Sequence, residues 1–259
     1  MFYPSFKAKG YAKVSSTTRS LDLFDKDVLI VPINKNLHWS LAVILRPGAL
    51  SAQLSRLYAE AEASLQPKSA SQGISVSVAA TAGAGAGAEG GVGVGVGVGQ
   101  SAAAGSQDDL PCILHMDSLG MHNTQDVGRS LQSYLGHEWE NRKMPAARER
   151  LVALLAALRA DNMEEPQVCE EKDFWDSLGN ARSKLFHNIA VVECNVPKQP
   201  NGYDCGVCVL TSAQLVMRKP PSSTLKDIKE SLPEALFIKK LSQQDYDKHR
   251  LVIRDLIDA

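Results

Sequence analysis

From about Pro67 to Asp109 the chain is built almost wholly from Ala, Gly, Ser and Val, with Gly-Ala alternating from Gly83 to Ala88 and Gly-Val from Gly91 to Gly99. A segment without large side chains buries too little to offset the backbone entropy lost on ordering. The Val-Gly alternation has the period of a strand, but glycine at every second place weakens a sheet. The folded body must therefore come from the flanking sequence. Closing a long loop costs free energy only logarithmically in its length, so one domain over 1–259 is expected, carrying a flexible insertion at 48–110. A short helix at its entrance is predicted from the helical recurrence of Leu50, Leu54, Leu57, Ala61 and Leu65.

The flanks are ordered in pattern. Asp27–Asn34 and Trp39–Leu45 before the insertion, and Pro111–Leu119 after it, are short apolar runs bounded by turn signals. They suit buried strands of one sheet. Asp126–Trp139 places Val127, Leu131, Tyr134, Leu135 and Trp139 on one helical face, and Ala146–Ala160 is strongly helix-forming. Residues 161–187 are charged and carry no clear pattern. Asn188–Val196 reads as a further strand, Cys205–Met217 as a buried helix and Gln243–Ile257 as a closing amphipathic helix. The fold class is α+β, a small mixed sheet packed against helices.

Composition excludes several functions. A net charge of −1 offers no bulk attraction to nucleic acid or anionic membrane. No apolar run approaches the roughly 18 residues of a membrane span, and the amino terminus lacks the pattern of a secretory signal. The five cysteines (Cys112, Cys169, Cys194, Cys205 and Cys208) are odd in number and lack the spacing of a disulfide scaffold, which suits a soluble protein in a reducing compartment.

Chemistry concentrates at the turn-to-helix junction Gln199–Cys208. Cys205 falls in the first turn of a predicted helix, where unpaired N–H groups and the helix dipole favour an anion and hence a reactive thiolate. A thiolate needs an imidazole and a group to orient it. His38 and Asp117 both fall at the ends of predicted strands, and Gln199 could offer an N–H to an oxyanion beside the backbone N–H of Cys205. Other readings compete. Cys205-Gly-Val-Cys208 is a C-x-x-C, but a thioredoxin-like site follows an early strand, and only a helical tail follows here. A reversible Cys205–Cys208 disulfide remains a candidate off-switch. Zinc would need two more ligands, and Cys112, Cys169 and Cys194 have no matching spacing. His115 shares a strand face with Asp117 and is an alternative base, though local hydrogen bonding suits it better. Lys7, Lys9, Lys13 and Arg19 read as a solvated edge or as a face toward an acidic partner.

The combination resembles the SUMO-specific protease family, the sentrin and Ulp-type cysteine peptidases. The resemblance runs through Gly10-Tyr11, Leu23–Asn34, Leu37–Val43, Ile113–Leu119 and Val196–Val207. His-Trp, Asp-Ser and then Gln six residues before the Cys of Asp-Cys-Gly follow the family's order. The long insertion, together with Leu131–Glu140, looks like the branch with a split catalytic domain, associated with trimming SUMO chains. The resemblance implies a papain-like fold in permuted order (His, Asp, Gln, Cys). His38 would be the general base and Asp117 its orienting partner. Cys205 would attack the carbonyl after a Gly-Gly tail, Gln199 would line the oxyanion hole, and Trp39 would roof a channel too narrow for side chains. It implies no cofactor and no metal. SUMO and SUMO-conjugated proteins are the expected partners, with Nedd8 or ubiquitin, or a weakly catalytic SUMO-binding module, as alternatives. A monomer in the nucleus is expected, with the cytoplasm also compatible. The resemblance also implies an upstream portion of the family domain before the part that matches Phe2-Tyr3-Pro4, so an N-terminally incomplete domain is expected.

Overall fold

The computed structural model describes residues 10–65, 111–161, 168–199, 201–218 and 243–258. A helical turn, α1 (Tyr11–Val14), and two short 3-10 turns lead into the strands β1 (Val28–Lys35) and β2 (His38–Leu45). Then come α2 (Pro47–Leu65), β3 (Cys112–Met116), α3 (Thr124–Arg142), α4 (Met144–Asp161), α5 (Val168–His187), β4 (Ala190–Cys194), α6 (Cys205–Arg218) and α7 (Gln243–Ile257). The four strands form one mixed sheet in the order β1-β2-β3-β4. β1 and β2, and β2 and β3, are antiparallel, while β3 and β4 are parallel. No helix among the described residues is long and apolar enough to cross a membrane.

Both faces of the sheet are covered, which explains why its strands read as unbroken apolar runs. Ile33, Ala42, Ile44 and Ile113 face a core shared with α2, α3, α4 and α5. Leu41, Val43, Leu45, Leu114 and Met116 face the other way and pack against Val209, Ala213 and Val216 of α6. The close seat of α3 on β4 depends on Gly128, since a Cβ there would lie 2.4 Å from Val191 Cγ2.

Two departures from the sequence reading concern helices. The insertion expected at 48–110 does not begin at 48. Leu50, Leu54 and Ala61 are completely buried, so α2 belongs to the main core, and each such leucine contributes about 1.5–3 kcal/mol by burial. Residues 66–110 lie outside the described residues, as do Lys7 and Lys9. The charged stretch left open at 161–187 contains α5, whose Leu178 and Phe186 are buried against α2 and α3.

The β1–β2 connection is a two-residue turn in which Asn36 (φ 54°) and Leu37 (φ 61°) are both left-handed. That conformation matches the twist of the strands but usually takes Asn-Gly. Leu37 holds it while 98% exposed, immediately before the first residue of β2.

Candidate active site

That first residue is His38, which starts β2 and is 2% exposed. β3 ends at Met116, and the chain then turns sharply, with Gly120 at φ 69°. The turn wraps around the Asp117 carboxylate. Oδ1 accepts the N–H groups of Leu119 and Gly120, both at 2.9 Å, and Oδ2 accepts that of His122 at 2.8 Å. Oδ1 also lies 2.6 Å from His38 Nε2. Burial pushes the Asp117 carboxyl upward, but the His122 N–H, the His38 ring and the Leu119 and Gly120 N–H groups outweigh it and hold the group at about 2. An ionised carboxylate only accepts, so the neutral His38 ring carries its proton on Nε2. Nδ1 is then an acceptor, buried and without a hydrogen-bond partner.

The second half of the site comes from the loop before α6. Gln199 N–H donates to the Ser118 carbonyl at 3.3 Å, and Lys198 Nζ donates to the Asp117 carbonyl at 3.1 Å. These bonds tie the loop to the end of β3. The Gln199 amide has one orientation. The Asn201 carbonyl, which can only accept, takes a hydrogen from Nε2 at 2.6 Å, so Oε1 receives the Ser118 hydroxyl at 2.6 Å. The second Nε2 hydrogen is not needed for either bond.

Cys205 is the first residue of α6 and is 6% exposed. Its predecessor Asp204 is fully buried, bonded to Asn201 Nδ2 at 2.6 Å and paired with Arg250 of α7. The Arg250 guanidinium also lies 5.2 Å from the centre of the Tyr203 ring. The structure therefore joins His38 to Asp117, and Gln199 to the segment following Asp117. Because His38 Nδ1 has no partner, the Cys205 thiol and the imidazole are not hydrogen-bonded to each other here. Catalytic hydrogen bonds are often long in the absence of substrate. Trp39 is partly exposed and lines a small cleft with Met116, Ser118, Val196 and Cys208.

Residues 2–164 and 172–250 match the C-terminal catalytic domain of the Ulp1 protease family. The chain belongs to that family. Ulp1-family catalytic domains are papain-like cysteine peptidases, and the mixed sheet with its flanking helices accords with that fold. Similar proteins include the probable ubiquitin-like-specific protease 2B of Arabidopsis thaliana, 26% identical over 222 residues that span 84% of this chain and 15% of that protein. Sentrin-specific protease 7 of Homo sapiens is 23% identical over 254 residues, spanning 93% of this chain and 21% of that protein. Sentrin-specific protease 2 of Homo sapiens is 44% identical over a shorter stretch of 43 residues. The chain thus spans between about a seventh and a fifth of the length of the first two relatives.

Cys112, Cys194 and Cys208 of this Ulp1-family domain are also buried and free. Burial raises the thiols of Cys112 and Cys194 to about 11 and about 12. Burial also raises that of Cys208, which points at Tyr246 Oη of α7, 3.4 Å away. His38, Asp117 and His122 bring potential metal-ligating atoms within 4.8 Å of one another. Both His122 nitrogens are engaged by Ser40 and the Lys35 carbonyl, and His38 Nε2 by Asp117. His115 is fully buried between Thr124 and Ser40, the local role expected for it. Sequence reasoning gave no role to Ser118, His122, Asn201 or Arg250; the first three lie within a few residues of Asp117 or Gln199, and Arg250 reaches Asp204 across 46 positions.

Proposed function

We propose that the domain is a thiol-dependent isopeptidase that cleaves after the C-terminal Gly-Gly of SUMO, releasing it from targets or trimming its chains. The observation that carries the reading is His38. Its Nε2–H is anchored on Asp117 and its buried Nδ1 carries a free lone pair, while Cys205 begins α6. In this reading His38 Nδ1 takes the thiol proton as Cys205 attacks the carbonyl, then returns it to the departing amine. A thioester remains on Cys205, and water deprotonated by His38 hydrolyses it. The free Nε2 hydrogen of Gln199 and the Cys205 backbone N–H stabilise the oxyanion. Trp39 restricts the approach to a tail without side chains. Family membership and relatives named as ubiquitin-like-specific and sentrin-specific proteases support the modifier class.

The test is to incubate the purified chain with SUMO, Nedd8 and ubiquitin, each bearing a thiol-reactive group at its terminal glycine, beside a Cys205→Ser control. The expected result is an adduct with SUMO that the control lacks. Adducts with Nedd8 or ubiquitin alone would replace the modifier. Binding of SUMO without an adduct would replace the enzyme with a binding module.

A further inference from the structure

Behind His38 runs a buried chain of hydrogen bonds that the cleavage reaction does not itself use. His122 Nε2 lies 3.1 Å from the Lys35 carbonyl, and its Nδ1 lies 2.7 Å from Ser40 Oγ. Ser40 Oγ is 3.1 Å from His115 Nε2, and His115 Nδ1 is 2.8 Å from Thr124 Oγ1. One end of this chain fixes its direction. A backbone carbonyl can only accept, so a neutral His122 carries its proton on Nε2 and its Nδ1 accepts. Ser40 therefore donates to His122 and accepts from His115 Nε2–H. That leaves His115 Nδ1 to accept the Thr124 hydroxyl. This direction holds while both imidazoles are neutral; a protonated ring would donate from Nδ1, and its bond with the hydroxyl would reverse.

The chain ends at the candidate base. Lys35 is the cross-strand partner of His38, and the His122 ring lies 4.8 Å from the His38 ring, centre to centre. The His122 N–H also holds the far oxygen of Asp117. We infer that Ser40, His115 and His122 are positioning residues, a directional hydrogen-bond chain that pins the β1–β2 turn and seats the His38 ring against Asp117. The catalytic consequence rests on the assignment of Cys205 and His38 above; the direction of the chain does not.

Burial drives both imidazoles toward the neutral state that sets this direction, with His115 at about 4 and His122 below its ordinary value. The groups facing His122 are Asp117, His38 and Lys35. Those facing His115 are Asp117, His122, Glu193 of β4 and His38. A proton on His122 would reverse its bond with Ser40, leaving Ser40 to accept from both rings, and set a positive charge against the His38 ring.

Two measurements test the inference. The first needs no substrate: long-range proton–nitrogen NMR of the 15N-labelled wild-type chain. It should show His115 and His122 neutral with the proton on Nε2 at pH 7.5, and their N–H signals protected from exchange. An Nδ1–H form of either ring, or a charged His122 at that pH, would overturn the chain. The second is Ser40→Ala, which removes one small hydroxyl and little volume. With a fluorogenic modifier substrate, kcat should fall roughly three- to tenfold at unchanged KM, the scale of one lost hydrogen bond. The acid limb of kcat should move to higher pH, since His122 loses the donor that favoured its neutral form. A lowered melting temperature with kcat and the acid limb unchanged would reduce the chain to a structural role. An inactive wild-type enzyme would overturn the catalytic reading while leaving the NMR result standing.

Discussion

Asp117→Asn isolates the electrostatics of the candidate site from its shape. In the wild type the carboxylate is held at about 2 against an ordinary value of 3.8, a gap worth about 2 kcal/mol of folding free energy. The folded value is the lower one, so this stability is fully present above about pH 5 and is lost as the pH falls through 3.8 toward 2. About half of it should be gone by pH 3. Asparagine has no proton to gain. Its oxygen can serve His38, Leu119 and Gly120, but its amide then faces the His122 N–H, donor against donor, a mismatch that costs about 1–3 kcal/mol at every pH. Urea denaturation of both proteins between pH 7 and pH 3 separates the two effects. The variant should be less stable at pH 7, and the difference should narrow by about 1 kcal/mol by pH 3. A difference that stays constant or widens as the pH falls would refute the claim that the turn around Asp117 stabilises its charged form.

Three further outcomes are expected. Leu37→Gly relieves a left-handed leucine, worth about 1–2 kcal/mol, less about 0.5–1 kcal/mol for the added chain entropy of glycine, so thermal denaturation should show a small rise in Tm. Gly128→Ala drives a Cβ into Val191; chemical denaturation should show a loss of about 1–3 kcal/mol, partly restored by adding Val191→Ala. Arg250→Gln leaves the buried Asp204 carboxylate beside Cys205 without its cation, so the pH profile for alkylation of Cys205 by iodoacetamide should move to higher pH. An unmoved profile would limit α7 to a packing role.

The elements that sequence reading located are those with an unbroken apolar run or one continuous apolar helix face. A sheet covered on both faces makes every side chain of β3 apolar or paired, so the run from Cys112 to Met116 stands out against its neighbours. The amphipathic closing helix was equally legible, and α7 spans Gln243–Ile257 as expected. Helix α5 was not, although Phe174, Leu178, Ala181 and Leu185 recur at helical spacing, because the acidic and basic residues between them lower the local hydrophobic signal. Helix α2 was legible too, from the recurrence of Leu50, Leu54, Leu57, Ala61 and Leu65, and it spans Pro47–Leu65; what the pattern did not tell is that this face packs into the main core.

The candidate site divides along the same line. His38, Asp117 and Cys205 each sit where an element begins or ends, and such positions can be read from local pattern. The groups that give them direction cannot. Ser118 meets Gln199 across 81 positions of sequence, Ser40 meets His122 across 82, and Arg250 meets Asp204 across 46. None belongs to a local motif that announces its partner, because serine, histidine and arginine find ordinary employment throughout a protein. What decides the direction of the first two is a fixed acceptor beyond each contact: the Asn201 carbonyl for the Gln199 amide and the Lys35 carbonyl for a neutral His122. Backbone carbonyls are invisible in a sequence, since every residue has one. The direction of the hydrogen bonds at this site therefore emerges only with the fold, even where the reacting groups themselves can be named beforehand.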